Sequence, residues 1–279
     1  MNDIISPENL VYSKPELLND NHMHYCAGCS HGMVHKLVAE VIAEMGMQEK
    51  TVGVSPVGCA VFAYNYIDID WHEAAHGRAP ALATAIKRLW PDRLVFTYQG
   101  DGDMACIGTA ESIHALNRGE NITLIFINNA IYGMTGGQYS PTTPHGEKGT
   151  TAPYGNIDYN FDIPKLAEAA GATYTARGSA FHVPQMIRLI ENGIKHKGFS
   201  MIEGLSVCPT YYGRKNKKGS AVDMYNWQKD HCIDIAKAAK MTPEELEGKV
   251  IIGEMSRCEK PEYTDMYMEI IHKCGGDEE

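Results

Sequence analysis

Two short polar stretches hold the residues best suited to chemistry. Gly100-Asp101-Gly102-Asp103 interrupts one β-rich run, and Asn128-Asn129 closes another. Glycine lets the backbone approach an anion such as a diphosphate closely. A carboxylate and a side-chain amide oxygen from neighbouring strand ends are hard donors. They suit Mg²⁺ that is shared with phosphate oxygens and water. A helix starting near Ala105 would aim its first N–H groups at the phosphates. Taken alone, Gly-Asp-Gly-Asp also reads as an acidic turn capping a helix. The Asn pair, one helix and one strand later, weighs against that.

A second donor set is sulfur. Cys26 and Cys29 form a C-x-x-C, whose spacing lets two thiolates reach one metal centre from a tight loop. Cys59 follows a β-rich stretch in Val57-Gly58-Cys59, and Cys208 ends another ahead of Pro209. Four cysteines on separate loops fit a tetrahedral zinc or a [4Fe–4S] cluster, and spacing does not choose between them. In the zinc reading His22, His24, His31 and His35 are further candidate ligands. Cys106 reads as a small core residue inside a helix. Cys232, Cys258 and Cys274 carry no assigned role.

These loops need a scaffold. Residues 94–98 and 122–127 are β-rich, and the second run is almost wholly apolar, as in a parallel strand covered on both faces. Further strands are expected at 51–54 and 200–207. Helical spacing marks 32–44, 80–89, 106–116, 163–170 and 183–196. Strands alternating with helices predict an α/β fold: a doubly wound, mainly parallel sheet with helices on both faces. Ligands in such sheets bind outside the carboxyl ends of the strands, where both polar stretches fall. Residues 1–25 read as irregular, with Pro7 and Pro15 interrupting any helix. Residues 1–210 form the expected ligand-binding domain and 211–279 a C-terminal helical extension. Within that extension Arg214-Lys215-Asn216-Lys217-Lys218 reads as solvated surface, and the end from Gly275 to Glu279 as an acidic tail.

Composition bounds the function class. The 279 residues carry 35 acidic and 25 basic side chains, a net charge of −10, which argues against nucleic acid or an anionic membrane as partner. No apolar run is long enough to span a bilayer. The opening MNDIISPENL has neither a basic start nor an apolar stretch, so no secretory signal is read. Eight cysteines in a chain of this length suit reduced thiols in cytoplasm better than a disulfide scaffold.

The string GDGDMACIGTAESIHALNRGENITLIFINNAIYGMTGGQYSPT resembles the thiamine diphosphate-binding β subunits of the 2-oxoacid:ferredoxin oxidoreductases. YCAGCSHG, VGC at 57–59, HGRA at 76–79 and VCPT at 207–210 extend the likeness over most of residues 25–210. The resemblance implies that Asp101 and Asn129 ligate Mg²⁺ through side chains and Ile131 through its carbonyl. It places Val57, Gly58, Cys59, Gly100, Gly102, Asp103, Tyr132 and Gly133 around thiamine diphosphate, with His76 as cofactor contact and catalytic candidate. It implies a [4Fe–4S] cluster on Cys26, Cys29, Cys59 and Cys208 rather than zinc, because decarboxylation without lipoamide or flavin needs a one-electron acceptor beside the coenzyme.

The implied activity is coenzyme A-dependent oxidative decarboxylation of a 2-oxoacid, with electrons passed to ferredoxin. The implied partners are an α subunit bringing the pyrimidine half-site and its glutamate, a γ subunit and a small ferredoxin-like subunit. An anaerobic host is implied as well. Relatives often carry a lysine in the loop that reads Met134-Thr135-Gly136-Gly137-Gln138 here. Glycine at 136 favours a neutral branched-chain acid such as 2-oxoisovalerate, ahead of 2-oxoglutarate. From another class, the alternatives are a thiamine-free iron–sulfur electron-transfer module or a zinc-stabilised structural subunit.

Overall fold

The computed structural model describes residues 9–275. Residues 1–8, Pro7 among them, and the acidic tail beyond Gly275 lie outside the described residues. Eight strands form one sheet: β1 (Thr51–Ser55), β2 (Asp70–Glu73), β3 (Leu94–Gly100), β4 (Thr123–Asn128), β5 (Tyr174–Ser179), β6 (Ser200–Leu205), β7 (Cys232–Asp234) and β8 (Val250–Arg257). Their order is β2-β1-β3-β4-β6-β5-β8-β7. Every neighbouring pair is parallel except β5–β8.

Helices α1 (His31–Glu44) and α5 (Val183–Lys195) cover one face. Helices α2 (Ala79–Leu89), α3 (Thr109–Arg118) and α4 (Ile163–Ala170) cover the other. The central strands feed both cores. Phe96, Tyr98, Ile125 and Ile127 point to the first, while Val95, Leu124 and Phe126 point to the second. A strand buried on both faces needs apolar residues at every position, which is why the 122–127 run is continuous. The loops after β1, β3, β4 and β6 leave the same edge of the sheet and carry the chemistry.

The expected elements recur with small shifts at their ends, and three differences matter. The segment after Gly102 is a single π-helical turn, Asp103–Ile107, and α3 starts only at Thr109. The wider turn shifts the helical phase. Cys106, expected in the core, is therefore exposed. Strands β2 and β5 have no counterpart among the expected ones. Finally, the segment beyond 210 contains helices α6 (Ala221–His231), α7 (Ile235–Ala238), α8 (Pro243–Leu246) and α9 (Tyr263–Lys273), but also β7 and β8. Those two strands continue the main sheet, because β8 runs antiparallel to β5.

Candidate functional site

All twelve residues singled out as cofactor contacts, from Val57 to Gly133, line one cleft at this edge, joined by His31, Ala60, Met134 and Thr135. Its floor is Asp101, 2% exposed. Ser140 Oγ and Thr142 Oγ1 donate to Asp101 Oδ2 at 2.6 and 2.8 Å, and the Gly102 N–H donates to Oδ1 at 2.9 Å. Three uncharged donors do not offset the loss of water. Burial pushes the carboxyl up to about 6 despite those hydrogen bonds. A buried carboxylate with no cationic side chain against it is the donor a divalent ion needs. The Cβ positions of Gly58 and Gly100 meet open space, so bare backbone faces the cleft there. This fits a diphosphate held by Mg²⁺.

The second half of the donor set sits on a strained turn. Ala130 has φ 62°, a left-handed conformation uncommon for a residue with a Cβ. Asn128 Oδ1 accepts the Ala130 N–H at 3.2 Å, and Asn129 Oδ1 accepts the Ile131 N–H at 3.2 Å. Thr143 Oγ1 donates to the Ala130 carbonyl at 2.6 Å. The turn brings Asn129 and Ile131 into the cleft with Asp101. Gly102 faces the Tyr132 ring so closely that a Cβ would lie 2.1 Å from it. The Tyr132 hydroxyl donates to the Gly102 carbonyl at 3.0 Å.

His76 is tied to the same floor. Its Nδ1 lies 2.6 Å from Asp103 Oδ1, off the axis of a hydrogen bond. Asp103 is fixed by the Gly77 N–H at 2.9 Å and by Gln99 Nε2 at 2.6 Å. Sequence reasoning gives Gln99 no role, and it weighs Thr142, Thr143 and the Ser-Pro-Thr turn equally as ordering the loop over the coenzyme or as a plain β-turn. The Ser-Pro-Thr at 140–142 was the available signal, but nothing local tells that its hydroxyls reach back to Asp101.

The four thiols gather beside the cleft. Burial first, and then the neighbouring thiols of Cys26 and Cys208, push Cys59 up to about 12 and Cys29 to about 11. A Cβ on Gly133 would stand 2.9 Å from Cys59 Sγ and 4.0 Å from Cys208 Sγ. The loop bearing Tyr132 and Gly133 thus borders the thiols and the cleft at once. Among the described residues no three Cys, His, Asp or Glu side chains converge tightly enough to hold a single ion as they stand. His31 and His35 are buried in α1, and His24 bonds the Cys59 carbonyl through Nε2 at 2.8 Å. That gives all three histidines packing or bracing roles beneath the thiols.

Residues 56–204 match the family described as thiamine pyrophosphate enzyme, C-terminal TPP binding domain. A 2-oxoglutarate synthase subunit KorB of Methanocaldococcus jannaschii is 45% identical over 250 residues, covering 89% of this chain and 93% of the relative. The chain belongs to the 2-oxoacid:ferredoxin oxidoreductase β-subunit family. Its enzyme class is that of an oxidoreductase subunit. A ketoisovalerate oxidoreductase subunit VorA of Methanothermobacter thermautotrophicus is 43% identical over 222 residues, 72% of this β subunit and 46% of the relative. A solved 2-oxoglutarate:ferredoxin oxidoreductase from Magnetococcus marinus, with 2-oxoglutarate, coenzyme A and succinyl-CoA bound, superposes with a TM-score of 0.84 at 27% identity. It covers 96% of this β subunit and 93% of that chain.

Proposed function

We propose that this β subunit holds Mg²⁺–thiamine diphosphate in the cleft and a [4Fe–4S] cluster on Cys26, Cys29, Cys59 and Cys208. It serves the coenzyme A-dependent oxidative decarboxylation of 2-oxoglutarate, with electrons passed to ferredoxin. The observation that carries this reading is the buried Asp101, with no cationic side chain against it, facing open glycine backbone one loop away from four neighbouring thiols. When bound, thiamine diphosphate supplies the carbon nucleophile and electron reservoir for decarboxylation, and the cluster supplies a one-electron acceptor.

The chain's own residues do the positioning. Asp101, Asn129 and the Ile131 carbonyl hold the metal, while Ser140 and Thr142 orient the Asp101 carboxylate. Asp103 holds His76 against the diphosphate end of the cleft. The cleft lining includes no glutamate, so we assign that group, with the pyrimidine half-site, to a partner α subunit. A γ subunit and a small ferredoxin-like subunit complete the proposed assembly. A four-iron cube spreads its thiolates wider than one zinc ion does, in keeping with thiols that neighbour one another without closing on a single point among the described residues. Among the described residues no helix is long and apolar enough to cross a membrane. The free cysteines suit the cytoplasm of an anaerobe.

Gly136 ranked branched-chain acids first. The near full-length likeness to 2-oxoglutarate synthase subunits supports the reverse order. Gly136, at φ 114° with open space around it, keeps 2-oxoisovalerate as the second reading. The test is anaerobic purification of the complex captured by this chain, assayed with a panel of 2-oxoacids, coenzyme A and a viologen dye. Four irons per β subunit and turnover fastest with 2-oxoglutarate are expected. An iron-free zinc protein, or one indifferent to thiamine diphosphate, would return the scaffold or electron-transfer alternatives.

A further inference from the structure

A row of one neutral and two charged side chains, Asn128, Glu203 and Arg177, crosses three central strands behind the Ala130 turn. Arg177 of β5 and Glu203 of β6 are register partners. Glu203 also pairs in register with Phe126 of β4, two residues before Asn128. Glu203 is 1% exposed, on the face whose neighbours Phe126 and Met201 belong to an apolar core. Each of its two oxygens accepts a hydrogen bond. Oε2 accepts Arg177 Nε at 2.5 Å and Oε1 accepts Asn128 Nδ2 at 2.7 Å. Arg177 is held from its far side by Asp162 Oδ1, 2.8 Å from its NH2 group. A buried ion pair is often no more stabilising than apolar residues of the same size, so a stability role does not account for it.

What the row does reach is geometry. Asn128 donates to Glu203 through its amide nitrogen and accepts the Ala130 N–H through its oxygen, so its orientation is fixed at both ends. The left-handed residue it fixes is the one that turns Asn129 and Ile131 toward the cleft. Behind them lies a cavity of about 800 Å³, lined by Arg177, Glu203, Asn128 and Asn129. On the cavity side the Arg177–Glu203 pair braces the turn through Asn128, while Thr143 Oγ1 holds the Ala130 carbonyl.

We propose that Glu203, clamped by Arg177, is a positioning residue for the metal site: it acts through Asn128 to hold the Ala130 turn. This rests on the thiamine reading above. The experiment uses the assembled complex and reads Mn²⁺ in place of Mg²⁺, by thiamine diphosphate-dependent Mn²⁺ binding and its electron paramagnetic resonance line shape. Glu203→Leu should raise the half-saturating Mn²⁺ concentration at least tenfold and broaden the bound-metal signal. Glu203→Gln keeps an acceptor for Asn128 and should stay within threefold of wild type. If Glu203→Leu does not fold, Asn128→Ala carries the same tenfold expectation, because it cuts the next link. Folded variants with Mn²⁺ affinity and line shape within twofold of wild type would overturn the proposal alone. A wild-type complex with no metal-dependent thiamine diphosphate binding would overturn both it and the functional reading.

Discussion

Burial pushes the Asp101 carboxyl up to about 6, so the metal-free folded chain keeps a proton that the unfolded chain releases near pH 4. A raised carboxyl pKa in the folded state makes stability fall as pH rises from about 4 to about 6, and the penalty persists above. Asp101→Asn removes that penalty. Without metal it should be more stable than wild type at pH 7.5, by at most about 3 kcal/mol, with the gap closing near pH 4. Denaturant melts at the two pH values test this. In the complex the same variant should lose at least about 100-fold in Mg²⁺–thiamine diphosphate affinity, the effect of removing a charged ligand worth about 3 kcal/mol. Equal affinity would remove Asp101 from the site. Ala130→Gly relieves a left-handed backbone and should stabilise the metal-free chain by about 1 kcal/mol, read as a higher denaturant midpoint at unchanged slope.

At the level of elements, the loop carrying His76 is locked to the π-helical turn through two glycines. A Cβ on Gly108 would meet the Gly77 carbonyl oxygen at 2.5 Å, and Gly77 itself has φ 75°. Gly108→Ala should therefore push the His76 loop outward. It should raise the thiamine diphosphate concentration for half-activity severalfold and lower stability by about 1–3 kcal/mol, measured by titration of the complex and by thermal melts. Helix α1 has a separate acid limb. Burial holds His31 down to about 3 and His35 well below the usual imidazole range. Folded, both stay neutral, while the unfolded chain takes up protons near pH 6.5. Their contribution is thus intact above pH 6.5 and erodes as pH falls, by about 2 kcal/mol each by pH 5. His35→Phe should flatten that loss by about one histidine's share; an unchanged slope between pH 7.5 and 5 would show that His35 titrates normally.

The same elements mark what the sequence made legible. Ile163–Ala170 and the apolar strand ending at Asn128 were readable, because a helix between caps and a strand buried on both sides leave strong patterns. The twelve cofactor candidates came from the resemblance, and what the structure adds is that they line one cleft. The hydroxyl clamp of Ser140 and Thr142 on Asp101 was not, since it spans about 40 residues of chain that no local pattern connects. Strand β5 hid because Arg177 and Gly178 break its apolar alternation, and the reason for Arg177 lies across the sheet in Glu203. Strand β8 hid behind Gly253, φ 134°, next to a register shift opposite β5.

At the scale of the molecule, the cleft opens on an edge of the sheet beside a long loop that presents Tyr154, Ile157 and Tyr159 at 98, 83 and 90% exposure. Apolar groups so placed favour burial by another chain. The isolated β subunit should show no 2-oxoacid-dependent viologen reduction, and adding the partner α subunit should restore it. Ile157→Asp should weaken that restoration severalfold while leaving the melting of the isolated chain within about 0.5 kcal/mol of wild type. The two ends of the sheet point the same way. β2 offers four residues, three of them exposed, and β7 only three. Strands this short, with Asp70 and Glu73 on one and Asp234 on the other, are poor templates for a neighbour's backbone. Larger particles must accordingly grow through side-chain surfaces instead of by ribbon-to-ribbon stitching, and the catalytic rim is left free to be capped.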